Sequence, residues 1–388
     1  MRPPLHVVLP AGVDDPAAPS GGNRYDREVL NRLPAAFAEI TGAGPRPIAE
    51  STVPGAWPSP APADRDHLAR VLAGCPDGAT VLLDGLVAGG VPEVLEPHAA
   101  RLRLVILVHL PLSDETGLSP ERAAGLRAME RRAVHLAAGV IATSSQAAAH
   151  VAAMHDRTGV HVAAPGVDLA EPAEPSPAGH RLLCVASLTH RKGQDLLIQA
   201  LAQLGDLAWE CTFVGAGTIP DHPEDGRIRF AGPLAGAELE AAYAGADLFV
   251  LPSRAETYGM VITEALAHGL PVVATAVGGV PEALGEVRDE MHGEAGSAVG
   301  EADWSHGETR SGGPRAAAGR ERPAVPGSLV PPDDPDRLAA VLRTWLTDPD
   351  LRARWRARAR ARRATLTGWD DTARRLAVIL DDIEKGTT

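Results

Sequence analysis

Two glutamates, Glu256 and Glu264, flank a short stretch of chain that could bind a phosphorylated ligand. The apolar run that ends at Leu251 predicts a buried strand, and residues 258–268 predict the helix that follows it. Glu256 then lies in the loop above the carboxyl end of the strand. Glu264 lies inside the helix, after a rise of roughly 7.5 Å.

The start of this helix is the predicted anion site. Its first amides have no acceptor within the helix, and the helix dipole makes this end positive, so phosphate is the expected occupant. A carboxylate on either side of a diphosphate can accept hydrogen bonds from hydroxyl groups at the two ends of a sugar nucleotide. The alternative is an ordinary surface helix with solvated glutamates. The amides of the predicted anion site belong to Gly259, Met260 and Val261.

Two adjacent cations, Arg191 and Lys192, follow a predicted strand at residues 181–186 and precede a predicted helix that runs to about Leu204. They could be a solvated surface pair. If they face the same anion site, they supply counter-charge for a departing diphosphate, Arg191 through its planar fork and Lys192 as a point charge.

This part of the sequence resembles the donor motif of glycosyltransferase family 4. The resemblance rests on Glu256 and Glu264, on Tyr258-Gly259 between them, and on Gly269-Leu-Pro-Val-Val-Ala-Thr275 after them. It implies an α/β protein of GT-B architecture, with two facing Rossmann-like domains and a central cleft. It also implies sugar transfer with retention from a nucleotide-diphosphate sugar, expected to be a UDP- or GDP-sugar, with no cofactor or metal required.

The resemblance also implies roles for individual residues of the second half. Glu256 would hold the transferred sugar, Glu264 the ribose, and the Arg191–Lys192 pair the diphosphate. The loop that ends at Leu234 would frame the nucleotide base. One departure is visible, because Ala186 and Ser187 stand where the family usually has Gly and Arg.

The first half offers two further candidates. Gly21 and Gly22 lie in the predicted loop between a first strand and a first helix, where the missing Cβ atoms let backbone approach a ligand. His109 stands at the carboxyl end of a predicted strand, where ligands of open α/β sheets collect. The alternatives are a flexible turn and a histidine that only bonds a neighbouring loop. The resemblance places the glycines near the donor phosphates, and His109 near the acceptor and the transferred sugar.

Composition limits the other possibilities. The chain has 388 residues, of which 45% are apolar and 3% aromatic, so its core is built mainly from Ala, Val and Leu. A net charge of -13 argues against nucleic acid and anionic membranes as partners. The three cysteines lack metal-ligand spacing, and the apolar runs are too short for a signal peptide or a membrane span. We expect a cytoplasmic protein, and the sequence does not indicate its oligomeric state.

The chain divides into two predicted domains, residues 1–168 on the acceptor side and 181–368 on the donor side, joined by a linker rich in proline and glycine at 169–180. Residues 285–327 have almost no branched apolar side chains, which predicts a disordered insertion, with a lid over the donor as the alternative. Residues 369–388 predict a final helix that packs back on the first domain.

The predicted function is a retaining hexosyltransferase that moves the sugar to a small-molecule, glycan or lipid-linked acceptor. A GT-B sugar-nucleotide epimerase or a glycoside phosphorylase could share the same cleft. An inactive nucleotide-sugar-binding module is the alternative that is not an enzyme.

Overall fold

Two six-stranded parallel sheets, one from each half of the chain, form the core of the computed structural model, which describes residues 2–15, 20–285 and 325–386. Most strand residues are buried, and several inner strands are buried along their whole length, as in β-sheets covered by helices on both faces. The predicted α/β class with two parallel sheets is confirmed. Within the described ranges, the helices are too short or too polar to cross a bilayer.

The first sheet has the strand order β2-β1-β3-β4-β5-β6. Its strands are β1 (Leu5–Pro10), β2 (Ile48–Val53), β3 (Thr80–Asp84), β4 (Arg103–Val108), β5 (Gly139–Ala142) and β6 (Val160–Val162). The helices of this half are α1 (Gly21–Thr41), α2 (Pro62–Gly74), α3 (Gly85–Ala88), α4 (Pro92–Leu95), α5 (Pro120–Leu136) and α6 (Ser145–His155).

The second sheet has the strand order β12-β11-β10-β7-β8-β9. Its strands are β7 (Arg181–Val185), β8 (Glu210–Val214), β9 (Ile228–Gly232), β10 (Leu248–Leu251), β11 (Val272–Thr275) and β12 (Gly327–Val330). The remaining helices are α7 (Gln194–Ala202), α8 (Gly236–Ala244), α9 (Met260–Ala267), α10 (Val280–Leu284), α11 (Pro335–Thr347), α12 (Pro349–Arg363) and α13 (Trp369–Lys385).

The last helix, α13, belongs to the core of the first half. Its apolar side chains are buried together with those of β1 and α1, and Trp369 lies edge-on to Tyr25 with ring centroids 5.8 Å apart. The hydroxyl group of Thr372 donates to the carbonyl oxygen of Ala164 at 2.8 Å. The chain therefore passes between the two halves twice, once before β7 and once before α13.

The connection before β7 is irregular and is held by side chains of the second half. Asp247 is fully buried and accepts hydrogen bonds from the amide of Ser176 at 2.5 Å and from its hydroxyl group at 2.7 Å. Arg363, on α12, donates to the carbonyl oxygen of Ala170 at 2.7 Å. These contacts fix the path of the connection, and the domain boundaries themselves remain a prediction.

Three local expectations differ from the structure. The predicted loop around the glycine pair is the first turn of α1, because the hydroxyl group of Ser20 accepts from the amide of Asn23 at 3.0 Å and caps the helix there. The helix predicted for residues 258–268 is shorter and begins at Met260. Most of the predicted disordered segment, 285–327, lies outside the described residues. At its end, Gly327 begins a strand that the sequence did not suggest, because its apolar pattern is only four residues long.

Candidate active site

Glu256 lies in the turn between β10 and α9, and Glu264 lies inside α9, as the sequence predicts. Gly259 has φ +94°, a left-handed conformation that side chains disfavour, and it caps α9. The first amides of α9 have no acceptors inside the helix, as at any helix start, so this end of α9 can bind an anion.

Lys192 and Glu256 are in direct contact. The Lys192 Nζ atom lies 2.6 Å from Oε1 of Glu256, and the hydroxyl group of Ser253 donates to the same oxygen at 2.7 Å. Lys192 lies in a short turn after β7, and Glu256 follows β10, which pairs with β7. Neighbouring parallel strands therefore bring the predicted cation and the predicted acid together. Their side chains are only 15% and 6% exposed, so the ion pair is largely shielded from water.

Arg191 lies beside this pair. One of its terminal nitrogens donates weakly to the carbonyl oxygen of Ala255 at 3.4 Å. Its Nε atom is buried and has no hydrogen-bond partner among the residues that the structure describes. A buried donor without an acceptor is costly, so this guanidinium group is ready to bind an anion.

Glu264 is held by two residues that the sequence did not single out. Its Oε1 atom pairs with Arg24, which comes from α1 in the other half. Its Oε2 atom accepts from the hydroxyl group of Tyr243 at 2.9 Å. Tyr243 is buried and stacks on His268 at 5.0 Å, and burial and the neighbouring Glu264 raise its pKa well above the usual value, so it stays a donor. Carboxylate oxygens accept more than one hydrogen bond each, which leaves acceptor capacity for hydroxyl groups.

The glycine pair allows the start of α1 to lie close to His109 and to the start of α9. A Cβ atom on Gly22 would lie 3.2 Å from the His109 ring, and one on Gly21 would lie 3.5 Å from the sulfur of Met260. Met260 packs against the buried clusters of both halves. The structure therefore brings Gly21, Gly22 and His109 to the same side as the start of α9.

Two further contacts join the halves next to the site. The hydroxyl group of Ser144, at the start of α6, donates to the carbonyl oxygen of Thr257 at 2.6 Å. The amide of Ser145 donates to Glu282 at 2.8 Å. Glu282 thus accepts a hydrogen bond at the start of a helix of the first half, in addition to lying in the first turn of its own helix α10.

His109 is paired with a buried acid that the sequence did not reveal. Its Nε2 atom lies 2.9 Å from Oδ1 of Asp26. One carboxylate oxygen from each of Asp26 and Asp84 and one ring nitrogen of His109 lie within 4.8 Å of one another. Burial lowers the pKa of His109, but Asp26 and Asp84 raise it more strongly, to about 9. The two acids therefore favour the protonated form of the imidazole.

The other residues predicted to bind the sugar-nucleotide donor are buried or partly buried. The side chain of Tyr258 is 7% exposed and packs in the core of the second half, and burial raises its pKa to about 12. Its ring is therefore a structural element beneath the turn, and only its backbone borders the site. Leu234 and Val261 are partly buried against the same cluster.

Comparison with known proteins places this geometry in a family. A family model described as "Glycosyl transferases group 1" matches residues 179–303. D-inositol 3-phosphate glycosyltransferase 1 of Catenulispora acidiphila is 32% identical over 378 residues, covering 89% of this chain and 78% of that protein. The D-inositol 3-phosphate glycosyltransferase of Kineococcus radiotolerans is 34% identical over 251 residues, covering 56% of this chain and 50% of that protein.

Solved structures share the architecture across the whole chain. Sucrose-phosphate synthase from Thermosynechococcus elongatus has a TM-score of 0.68 at 19% identity, covering 98% of this chain and 100% of its own. Anabaena Alr3699/HepE in complex with UDP-glucose has a TM-score of 0.60 at 20% identity, covering 99% of both chains. At these identities the likeness shows the fold alone.

Proposed function

The chain belongs to the group 1 glycosyltransferases and has the GT-B fold, and from this premise we propose that it transfers a hexose-type sugar with retention from a nucleotide-diphosphate sugar. The observation that carries the proposal is the arrangement around the start of α9. Glu256 precedes this helix end and Glu264 follows it, and Arg191 and Lys192 contact the loop that leads into the helix, at Ala255 and Glu256. This is a site for a diphosphate with a hydroxyl-bearing group at each end.

Charge accounts for the chemistry that we propose. When the bond between the sugar and the diphosphate breaks, negative charge builds on the leaving phosphate. Lys192 uses one of its three protons towards Glu256 and keeps two for phosphate oxygens. Arg191, with its unpartnered Nε atom, and the amides of α9 supply further donors. All of them are in place before the reaction, so they stabilise this charge without reorganisation.

The proposed donor is supported by the second glutamate. Glu264 has both oxygens oriented, one by Arg24 and one by Tyr243, and it retains lone pairs for two ribose hydroxyl groups. Structures of similar fold have been solved with UDP and with UDP-glucose. A UDP- or GDP-sugar is therefore the donor to test first. Since the two bacterial relatives described above are named for D-inositol 3-phosphate, a phosphorylated cyclitol heads the acceptor panel.

A ligand screen followed by a turnover assay tests the proposal. UDP-, GDP- and ADP-sugars are compared by thermal shift, and we expect one of them to raise the melting temperature, because a ligand that binds only the folded state stabilises it. Turnover of that donor is then measured with the acceptor panel, and separately with phosphate alone. Transfer to an acceptor with retained anomeric configuration is expected. Turnover that depends on phosphate alone would indicate a phosphorylase, and binding without any turnover would indicate an inactive module.

Glu264→Ala is expected to weaken nucleotide binding by about 10- to 100-fold, because two hydrogen bonds to a charged acceptor are lost. Isothermal calorimetry with the nucleoside diphosphate measures the change. Glu264→Gln is the companion variant, since it keeps an oxygen for Tyr243 and limits the effect on folding. Glu238→Ala, an exposed acid on α8, is the matched control. An unchanged affinity in both Glu264 variants would exclude the ribose role.

A further inference from the structure

Three ionisable groups meet behind the acceptor side of the cleft. Asp84 is the last residue of β3 and His109 follows β4, and these strands pair in parallel, so their carboxyl ends lie side by side. Asp26 approaches them from α1. Asp26 is 3% exposed and Asp84 is 6% exposed, whereas the side chain of His109 is 18% exposed. The two acids are therefore enclosed, and the imidazole stands between them and solvent.

The hydrogen bonds of the two acids are incomplete. Asp26 uses Oδ1 towards His109, but its Oδ2 atom is buried without a partner among the described residues. Asp84 uses Oδ1 to accept from the amide of Leu86 at 2.6 Å. Two buried carboxylates this close together need a proton or a cation beside them, and protonated His109 can be that cation. A cavity of about 10 Å³ is lined by both acids, which is space for about one water molecule.

We propose that Asp26 and Asp84 form a buried carboxyl pair whose negative charge holds His109 as a doubly protonated hydrogen-bond donor at the cleft. In this arrangement Asp26 accepts from Nε2 of His109, and Asp84 adds negative charge close to the same ring. The second ring nitrogen, Nδ1, then carries a proton that it can donate to a ligand oxygen. Asp26 and Asp84 are positioning residues, and their role in sugar transfer rests on the proposed function.

The electrostatics agree with this geometry. Burial raises the pKa of Asp84, the positive charge of His109 lowers it, and the negative charge of Asp26 raises it again, to about 6, so Asp84 is mainly ionised at pH 7. His109 is held charged up to a pKa of about 9. The other titratable group packed against the ring is Tyr25, whose pKa is raised far above its usual range by burial and by Asp26, so it stays neutral. Asp26 and Asp84 therefore both favour the protonated form of His109.

The protonation state of His109 determines which chemistry its ring can perform. A doubly protonated imidazole has no lone pair, so it cannot remove a proton from an acceptor hydroxyl group. It can donate a hydrogen bond to a hydroxyl or phosphate oxygen of the sugar or acceptor. Activity that depends on this donor is full below the pKa of His109 and is lost as the pH rises through about 9.

Histidine protonation can be measured directly by NMR. The protein is labelled with ¹⁵N in its 14 histidines, and the His109 signals are assigned by their loss in His109→Gln. We expect both ring nitrogens of His109 to be protonated at pH 7, with a titration midpoint near 9. In Asp26→Asn the midpoint is expected to fall by roughly one to three pH units, because the opposite charge is removed. The upper limit of the activity profile should fall with it.

The control is a second His–Asp pair outside the site. His150 lies 2.8 Å from Asp114 and is 52% exposed, so Asp114→Asn makes the same chemical change at the surface. It should leave the His109 midpoint and the activity unchanged. Asp84→Asn provides a second site variant that keeps an oxygen for the amide of Leu86 and so protects the fold.

Three outcomes would overturn the proposal. His109 could be singly protonated at pH 7, its midpoint could be the same in Asp26→Asn as in the wild type, or a chelator could change its signals, which would indicate a metal ion bound by the two acids. The NMR readout needs no substrate. If the protonation is as expected but no sugar transfer occurs with any donor, the proposed function fails and the carboxyl pair stands.

Discussion

Replacing Arg191 and Lys192 together by alanine is expected to lower kcat about a thousandfold or more. Removal of a single preorganised donor from a site where charge develops costs about 100- to 1,000-fold. Here two cations are removed, and one of them, Lys192, is only 15% exposed and so is weakly screened by water. Turnover of the donor that binds in the thermal-shift screen is the measurement.

Two further variants make this test specific. Arg131→Ala combined with Arg132→Ala removes an adjacent pair of exposed cations from α5 and should leave kcat near the wild-type value. Because loss of Lys192 leaves the nearly buried Glu256 without its cation, Lys192→Met, which keeps most of the side-chain volume, is compared for stability. Wild-type kcat in a folded double variant would exclude the diphosphate role of these residues.

Trp369→Ala is expected to destabilise the first half by about 3–5 kcal/mol, the usual cost of deleting a large buried aromatic side chain. Trp369 is 1% exposed and packs on Tyr25, which in turn lies 5.2 Å from the His109 ring. Urea unfolding measures the loss, and hydrogen exchange locates it in β1 and α1.

Two further substitutions in α13 test whether lost packing causes the destabilisation by Trp369→Ala. Trp369→Phe is expected to cost less, because it keeps an aromatic ring and removes an indole N–H that is buried without a partner among the described residues. Arg374→Ala, on the exposed face of the same helix, should change the free energy of unfolding little. If Trp369→Ala unfolds like the wild type, α13 is not needed for the first core.

The sequence allowed prediction of what depends on local pattern. Buried runs such as 248–251 and 272–275 are short and apolar, so the strands could be found, and the Pro and Gly residues around them mark where they end. Glu256 and Glu264 could be placed relative to each other because a single turn and one helix separate them. The family and the fold followed from the same stretch of chain and are confirmed by the comparisons.

The partners of the site residues could not be predicted in this way. Arg24 and Glu264 are 240 residues apart in the sequence, and Asp26 and His109 are 83 apart. Such pairs depend on how α1 lies across the two sheets, and no periodicity in a single sequence records that. Asp26 is also one polar residue among the apolar positions of a helix, which a pattern treats as an exposed site. Its burial is explained only by the histidine that it meets.

The position of α13 has a consequence for how the protein is made. Residues 369–383 are translated after the whole second half, yet they complete the apolar core around β1 and α1. While the chain emerges from the ribosome, the face of α1 that packs against α13 in the folded protein, including Tyr25 beside Trp369, is not covered by that helix until residues 369–383 have been made. The second half, whose own strands and helices precede α13, can fold earlier, so the part of the protein that is synthesised first is the last to be finished.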